Sequence, residues 1–173
     1  MRKSANQRGY CLVSQQIRDE IVAGNVIVKS QSLERDDAGL FKDKNLEARV
    51  QPASFEPVLG DEVFVLDVEN QSVFTPGNET VYRALLQLPR RQRPRQSLDG
   101  GFELKKGSTY AIPLEESIKL RNGWRVRSSP KSSTGRLFPV TRMLTDYNPY
   151  FDEIHSQNAP QDKYLQLWLL LVS

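Results

Sequence analysis

The stretch Pro130-Lys131-Ser132-Ser133-Thr134-Gly135-Arg136 decides how the rest of this chain is interpreted. Its hydroxyl groups can donate hydrogen bonds to anionic oxygens. Arg136 offers a rigid fork of donors that suits a phosphate group, and Lys131 adds a compact positive charge. Gly135 lets the backbone bend without a side chain in the way. The stretch therefore has the residue types needed to hold a polyphosphate.

A solvated turn is the alternative interpretation of the same residues, because Ser, Thr, Gly and Pro are common in turns. Composition alone favours the turn. A P-loop is excluded, since the order Gly-x-x-x-x-Gly-Lys-[Ser/Thr] is absent and no helical pattern follows the stretch. The phosphate-binding hypothesis therefore depends on the sequence around the stretch.

A β-hairpin is predicted immediately before the stretch. Ser117–Leu120 and Trp124–Ser128 have strand-like composition and flank the turn Arg121-Asn122-Gly123. Asn-Gly between two β-type segments is a strong hairpin signal. The candidate loop then begins where a strand ends, which is a usual place for a ligand-binding loop.

Pro130–Leu137 resembles the phosphate-binding motif of the dCTP deaminase family, within the dUTPase-like superfamily. The likeness extends from about residue 12 to about residue 155. It is greatest to the long dCTP deaminases, in which two such modules follow each other. Three further stretches carry the resemblance in order and spacing: Leu12–Arg18 through Val26-Ile27, Val50–Gly60 with its Gln51-Pro52-Ala53-Ser54, and Tyr110–Ser117.

The resemblance implies a mostly β fold: a dUTPase-like distorted β-barrel or jelly-roll-like module with one short N-terminal helix. Short strand-like segments separated by turn signals support this fold class independently. The helix is predicted to extend from an N-cap at Ser14 to a glycine stop at Gly24. We expect residues 1–11 to form a flexible N-terminus and residues 12–173 to form the module.

The strand predictions come from short β-branched and aromatic runs bounded by turn residues. Residues 29–48 carry many charges and few apolar side chains, so they are predicted to form a long surface loop. Pro52 and Pro57 make Val50–Leu59 an edge or bulged strand rather than a central one. The other predicted strands are Asn25–Val28, Glu62–Asp67, Val81–Leu88, Phe102–Leu104, Ser108–Leu114, Phe138–Leu144 and Tyr164–Val172.

The resemblance also assigns a candidate phosphate site. It implies that Ser132, Ser133 and Arg136 bind the phosphates of a deoxynucleoside triphosphate, with Lys131 assisting. The triphosphate would carry Mg²⁺ with it. In the resembled family the segment after the loop lines the nucleotide pocket.

Thr145 and Asp146 lie in that following segment and are secondary candidates for substrate contact. A turn rich in tyrosine and proline explains Asp146-Tyr147-Asn148-Pro149-Tyr150-Phe151-Asp152 equally well. Both interpretations stay open at this point.

The general base of the resembled family is a glutamate on the last strand of the module. Our alignment puts Leu171 at its position, and a leucine cannot take a proton from water. The carboxylates nearest in sequence are Asp152, Glu153 and Asp162, and their spacing does not identify a substitute. The catalytic residue is therefore unassigned.

Three functions remain open, and with them the question of whether this chain is itself an enzyme. The first is a dCTP deaminase module, which implies hydrolytic loss of ammonia from C4 of the cytosine of dCTP to give dUTP. The second is a non-catalytic structural half of a two-module enzyme, which Leu171 favours for this chain. The third is a dUTPase-type diphosphohydrolase, which would share the phosphate loop. The resemblance also implies a trimeric or pseudo-trimeric assembly, with copies or with a second module of the same chain.

Composition argues against several other classes of protein. The chain has 173 residues, a net charge of +3, one cysteine (Cys11) and one histidine (His155). Zinc nucleobase deaminases need His-x-Glu and Pro-Cys-x-x-Cys, so we expect no zinc site. The basic run Pro89–Arg95 lacks flanking aromatic residues, so it is predicted to be a solvated loop rather than a nucleic-acid-binding surface.

The two ends of the chain also carry predictions. Met1-Arg2-Lys3-Ser4 lacks the apolar core of a signal peptide and no run is long enough for a membrane span, so we expect a cytoplasmic protein with no membrane partner. Tyr164–Val172 is the most apolar segment, and a domain rarely ends on a core strand that nothing pairs. We therefore expect a chain truncated at the C-terminal end of its module.

Overall fold

The computed structural model describes residues 10–66, 77–88, 95–131 and 140–173. The described residues are mostly β, with short antiparallel strands and few helices, so the predicted fold class is confirmed. Along the chain the elements are α1 (Ser14–Val22), β1 (Val26–Ile27), α2 (Lys44–Arg49), β2 (Glu62–Leu66), α3 (Val81–Gln87), β3 (Arg95–Ser97), β4 (Thr109–Ile118), β5 (Arg125–Arg127), β6 (Val140–Thr145), β7 (Glu153–His155) and β8 (Leu165–Val172).

The described residues fall into two compact units. The first comprises the described part of Met1–Gly24 together with Ser30–Glu56. The second comprises Asn25–Lys29 and the described part of Pro57–Ser173. The predicted flexible N-terminus lies outside the described residues except for Tyr10 and Cys11. None of the described helices is long and apolar enough to cross a membrane.

The predicted N-terminal helix is present in the first unit. It begins at Ser14, and the cap is Val13, one residue earlier than predicted. The Val13 N–H donates to Gln16 Oε1 at 3.0 Å, so a glutamine in the first turn satisfies a donor that the helix leaves open. Gly24 follows the helix with φ at 73°, the left-handed conformation expected of a glycine stop.

The prediction of a surface loop over residues 29–48 is wrong at its C-terminal end, where α2 begins. Asp43 caps this helix by accepting hydrogen bonds from the backbone N–H groups of Asn45 and Leu46. Phe41 and Leu46 are almost completely buried. Two apolar side chains are therefore enough to anchor this segment, despite its many charges.

Val81–Leu88 was predicted as a strand, and this prediction is wrong because the segment forms helix α3. Thr80 caps the helix by accepting from the Arg83 N–H at 3.2 Å. Val81, Ala84 and Leu85 are the buried side chains, and their spacing of three and four residues is helical. The short apolar run is compatible with a buried strand and with a helix, and the threonine cap favours the helix.

The main sheet of the second unit has the strand order β3-β2-β4-β8-β6, with β1 also paired to β4. All of these pairs are antiparallel. Strand β8 therefore lies between two neighbours, with Leu171 opposite Tyr110 on one side and Thr141 on the other. The premise that the last strand has nothing to pair with is wrong.

The predicted hairpin around Asn122-Gly123 is also wrong. Strand β4 continues to Ile118, and β5 pairs with β7 in a separate two-stranded sheet. Gly123 still makes a turn, with φ at 82°, so the local signal was correct and only the pairing partner differs. Phe102–Leu104, also predicted as a strand, is irregular.

Successive residues of the central strands point to opposite faces of the sheet. On one face Phe64, Leu85 and Trp168 belong to one apolar cluster, which includes the buried side of α3. On the other face Tyr110 and Leu171 belong to a second cluster. The central strands β2, β4 and β8 are therefore packed against apolar side chains on both faces of the sheet.

Candidate functional site

An open cleft of about 580 Å³ lies in the second unit, where strands β6, β7 and β8 come together. Arg142 and Leu170 face each other across the β6–β8 ladder, so they project from the same side of the sheet. Glu153 and His155 are two residues apart on β7 and also share a face. The side chains that line the cleft are Arg142, Tyr150, Phe151, Glu153, His155 and Leu170.

One wall of the cleft is apolar and aromatic. Tyr150 is 54% exposed and Phe151 is 40% exposed, and Leu170 lies with them. Exposed aromatic rings beside a cavity offer flat surfaces on which another ring can stack. The cleft therefore has a wall suited to a planar group.

The other side of the cleft is charged. The Glu153 carboxylate forms ion pairs with Arg125 and with Arg127, the latter at 3.6 Å. His155 Nε2 lies 2.9 Å from Glu153 Oε1. The β5–β7 ladder explains this arrangement, because it sets Arg125 opposite His155 and Arg127 opposite Glu153. One carboxylate is thus surrounded by three basic side chains.

Asp152 precedes Glu153 and adopts φ of 61°, which is uncommon outside glycine and is tolerated best by Asn and Asp. Its carboxylate accepts hydrogen bonds from Ser128, Arg142 and Met143. Arg142, which lines the cleft, is therefore held by a neighbouring carboxylate at 2.6 Å.

The predicted phosphate loop is only partly within the described residues. Lys131 is exposed and ends the described segment that follows β5. Ser132, Ser133 and Arg136 lie outside the described residues. Their phosphate-binding role stays a prediction.

Thr145 and Asp146, the secondary pocket candidates, are buried at the end of β6. Thr145 Oγ1 donates to the Gln166 carbonyl oxygen at 3.0 Å. The Asp146 carboxylate accepts from the backbone N–H groups of Val81 at 2.9 Å and Gln166 at 3.3 Å. The two side chains thus bind β6 to β8 and to the start of α3, and their contact with a substrate stays a prediction.

Burial raises the pKa of the Asp146 carboxyl above its ordinary value, while the hydrogen bonds from Val81 and Gln166 oppose that rise. A raised folded-state pKa means that Asp146 stabilises the fold fully below the unfolded-state pKa. That contribution is lost as the pH rises through the folded-state pKa.

Asp146→Asn should therefore remove the pH dependence that Asp146 contributes to the free energy of unfolding. At acidic pH, where the carboxyl is protonated and the amide has nearly the same shape and acceptor capacity, the free energy of unfolding should change by less than about 1 kcal/mol. Urea unfolding at a series of pH values measures both effects. Unchanged pH dependence would contradict the role of Asp146 as a buried acceptor; Asp162→Asn, at an exposed position, is the matched control.

Leu171, aligned with the position of the general base, faces away from the cleft. Its side chain is buried in the cluster with Val63, Tyr110 and Ile112. Leu170, the preceding residue, lines the cleft instead. The cleft-facing position on β8 is therefore one residue earlier than the alignment suggested, and it also holds a leucine.

Sequence reasoning missed the importance of Leu170, Arg142 and His155. Strict alternation along β8 was the available signal, since a core-facing Leu171 requires Leu170 to face the other way. The β6–β8 and β5–β7 pairings, which complete the cleft, had no local signal. Among the described residues, no group of three or more His, Cys, Asp or Glu side chains is placed to hold a metal ion.

The chain is similar to known proteins both in sequence and in fold. Residues 22–165 match the family described as the 2'-deoxycytidine 5'-triphosphate deaminase N-terminal domain. The fold is similar to the crystal structure of 2'-deoxycytidine 5'-triphosphate deaminase from Agrobacterium tumefaciens, with a TM-score of 0.69 and 29% sequence identity. That match covers 94% of this chain and 40% of the other chain. No curated protein matches.

Proposed function

Because the chain belongs to the family of 2'-deoxycytidine 5'-triphosphate deaminase N-terminal domains, we propose that it is the nucleotide-binding module of a dCTP deaminase. The whole enzyme would remove ammonia hydrolytically from C4 of the cytosine of dCTP and release dUTP. This module would bind the nucleotide, and the general base would come from outside it. The reaction would take place in the cytoplasm, as part of pyrimidine deoxynucleotide metabolism.

The observation that supports this division of roles is the identity of the side chains at the cleft. The β8 residue that faces the cleft is Leu170, which cannot accept a proton. Glu153 is the carboxylate among the described lining residues, and it is already ion-paired with Arg125 and Arg127. A base must be free to reach the water that it activates. The lining therefore suits binding better than proton transfer.

The proposed substrate is a deoxynucleoside triphosphate that carries its own Mg²⁺. Ser132, Ser133 and Arg136 would bind the phosphates, with Lys131 beside them. Strand β6 follows this loop in the sequence and contributes Arg142 to the cleft, where Tyr150 and Phe151 offer a surface for a planar base. Magnesium fits this role because it binds phosphate oxygens and keeps most of its water ligands.

A larger assembly is part of the proposal. The chain spans 40% of the length of the Agrobacterium tumefaciens chain that it matches. The missing carboxylate would come from a second module or from another copy in a trimeric or pseudo-trimeric arrangement. The site would then lie between modules.

A product assay distinguishes this proposal from the alternatives. The chain and its full-length parent are each incubated with dCTP or dUTP and Mg²⁺, and ammonia and pyrophosphate are quantified. We expect ammonia from dCTP with the full-length protein and neither product with this chain alone. Pyrophosphate release from dUTP would instead indicate a dUTPase-type diphosphohydrolase.

Arg136→Ala should weaken binding of the triphosphate by about 1.5–3 kcal/mol, the contribution of a hydrogen bond to a charged group. Calorimetric titration with Mg²⁺-tripolyphosphate measures the change without requiring turnover. Arg83→Ala is the matched control, because Arg83 is exposed on α3, where it pairs with Glu79 at 3.6 Å. Equal affinities for the wild type and Arg136→Ala would remove Arg136 from the site.

A further inference from the structure

Asp152 is hydrogen-bonded to residues on both sides of the candidate phosphate loop. Ser128 lies before the loop, while Arg142 and Met143 lie after it. We propose that Asp152 is a positioning residue that fixes the two ends of this loop relative to each other and thereby sets its affinity for a triphosphate. This proposal rests on the proposed function of the loop.

The connection to the first end of the loop uses both the backbone and the side chain of Asp152. The Ser128 N–H donates to the Asp152 carbonyl oxygen at 2.9 Å. The Ser128 hydroxyl donates to Asp152 Oδ1 at 3.1 Å. Ser128 directly follows β5, so these two bonds hold the chain at the point where it leaves that strand.

The connection to the second end is equally direct. The Met143 N–H donates to Asp152 Oδ1 at 2.8 Å, and the Asp152 N–H donates to the Met143 carbonyl oxygen at 3.0 Å. Arg142 Nη1 donates to Asp152 Oδ2 at 2.6 Å. Both residues lie on β6, the strand that follows the loop. One carboxylate thus connects the residues before the loop to those after it. Oδ1 accepts from Ser128 and Met143, and Oδ2 accepts from Arg142.

The chemistry of aspartate suits this position. A short side chain with two acceptor oxygens can serve three donors, and aspartate tolerates the φ of 61° better than most residues. The carboxylate side chain is 22% exposed, so its bonds are partly shielded from water. A loop whose ends are already fixed loses less conformational freedom when it binds a ligand. Removing this connection should therefore weaken binding even where the fold is retained.

A purely structural role is the alternative, because the same bonds also cover the outer edge of β6. Three variants separate the two roles. Asp152→Gly keeps the backbone conformation and removes the side chain. Asp152→Asn keeps an oxygen acceptor for Ser128 or Met143 and removes the charge facing Arg142. Ser128→Ala removes a single hydroxyl bond and should fold normally.

The experiment measures the affinity for Mg²⁺-tripolyphosphate by calorimetry well below the thermal midpoint of each variant, together with that midpoint. Asp152→Gly should raise the dissociation constant by about tenfold or more, with Asp152→Asn intermediate and Ser128→Ala about two- to threefold weaker than wild type. Asp162→Gly, at an exposed acidic position in the same unit, should leave the dissociation constant unchanged.

The outcomes separate this inference from the function on which it rests. A lowered thermal midpoint with unchanged tripolyphosphate affinity in Asp152→Gly and Ser128→Ala would overturn the positioning role and leave the proposed function intact. If Asp152→Asn binds tripolyphosphate no more tightly than Asp152→Gly, the positioning role is also overturned, because the retained acceptor then contributes nothing. A wild-type protein that does not bind tripolyphosphate would overturn the proposed function and this inference together.

Discussion

Leu171→Glu should lower the free energy of unfolding by about 3–5 kcal/mol, because it buries an unpaired charge in an apolar cluster. Leu170→Glu, one residue earlier, should lower it by only about 1–2 kcal/mol, since that side chain is half-buried and borders the open cleft. The pair of variants is matched in chemistry and in strand. The difference between them reports which face of β8 lines the cleft.

Urea unfolding at neutral pH measures this difference. Leu171→Met is the control for the size of the core position, and it should lower the free energy of unfolding by less than about 1.5 kcal/mol. Equal effects of glutamate at positions 170 and 171 would contradict the assignment of the two faces. The expected result would establish position 170 as the place on β8 from which a carboxylate could reach the cleft.

Glu47→Ala should lower the free energy of unfolding of the first unit by about 3–5 kcal/mol, the effect expected when one partner of a buried ion pair is removed. Arg18 is 7% exposed, and its Nε donates to Glu47 Oε2 at 3.0 Å. The same carboxylate oxygen accepts from the Phe41 N–H at 2.9 Å. The variant would leave a buried guanidinium and a buried N–H without this acceptor.

Glu34→Ala is the matched control for Glu47→Ala, because Glu34 also pairs with a basic side chain, Lys42, at 3.1 Å. Both members of that pair are well exposed, so its loss should cost at most about 1 kcal/mol. Comparable losses in the two variants, measured by urea unfolding, would show that burial does not strengthen the Arg18–Glu47 pair.

The Arg18–Glu47 pair also gives the pH dependence of stability a definite sign. The hydrogen bond from Arg18 holds the pKa of Glu47 below its ordinary value of 4.5. Glu47 therefore stabilises the fold above the unfolded-state pKa, and this contribution is lost as the pH falls through the folded-state pKa. The direction is opposite to that of Asp146, so acid unfolding should depend on Glu47 and not on Asp146.

The sequence was most informative where the residue types of a short segment favour one local structure. Gly24 ends α1 in the left-handed conformation, the predicted Glu62–Asp67 contains β2, and the predicted Phe138–Leu144 overlaps β6, which ends one residue later at Thr145. The likeness around Pro130–Leu137 led to the correct family, which an independent match over residues 22–165 confirms. These signals are local, so they needed no knowledge of the partners that each segment meets.

The wrong predictions share a physical cause. Val81–Leu88 is a short apolar run, and such a run fits a buried strand or a helix until its cap and its burial are known. Asn122-Gly123 correctly marked a turn, but strand pairing depends on which segments meet in space, and β5 meets β7 about 28 residues further along the chain. For the same reason, the premise that the last strand has no pairing partner was wrong, because β8 pairs with β4 on one side and with β6 on the other.

By itself, the sequence determined the β-rich class, the N-terminal helix and the family, because each follows from residue types at short spacing; the phosphate loop stays a prediction. Only the tertiary structure decided that Leu170 rather than Leu171 faces the cleft. It also brought Asp152 to Ser128 on one side and Met143 on the other. These arrangements arise from strand pairing between distant segments, where a shift of one residue in register exchanges the two faces of the sheet.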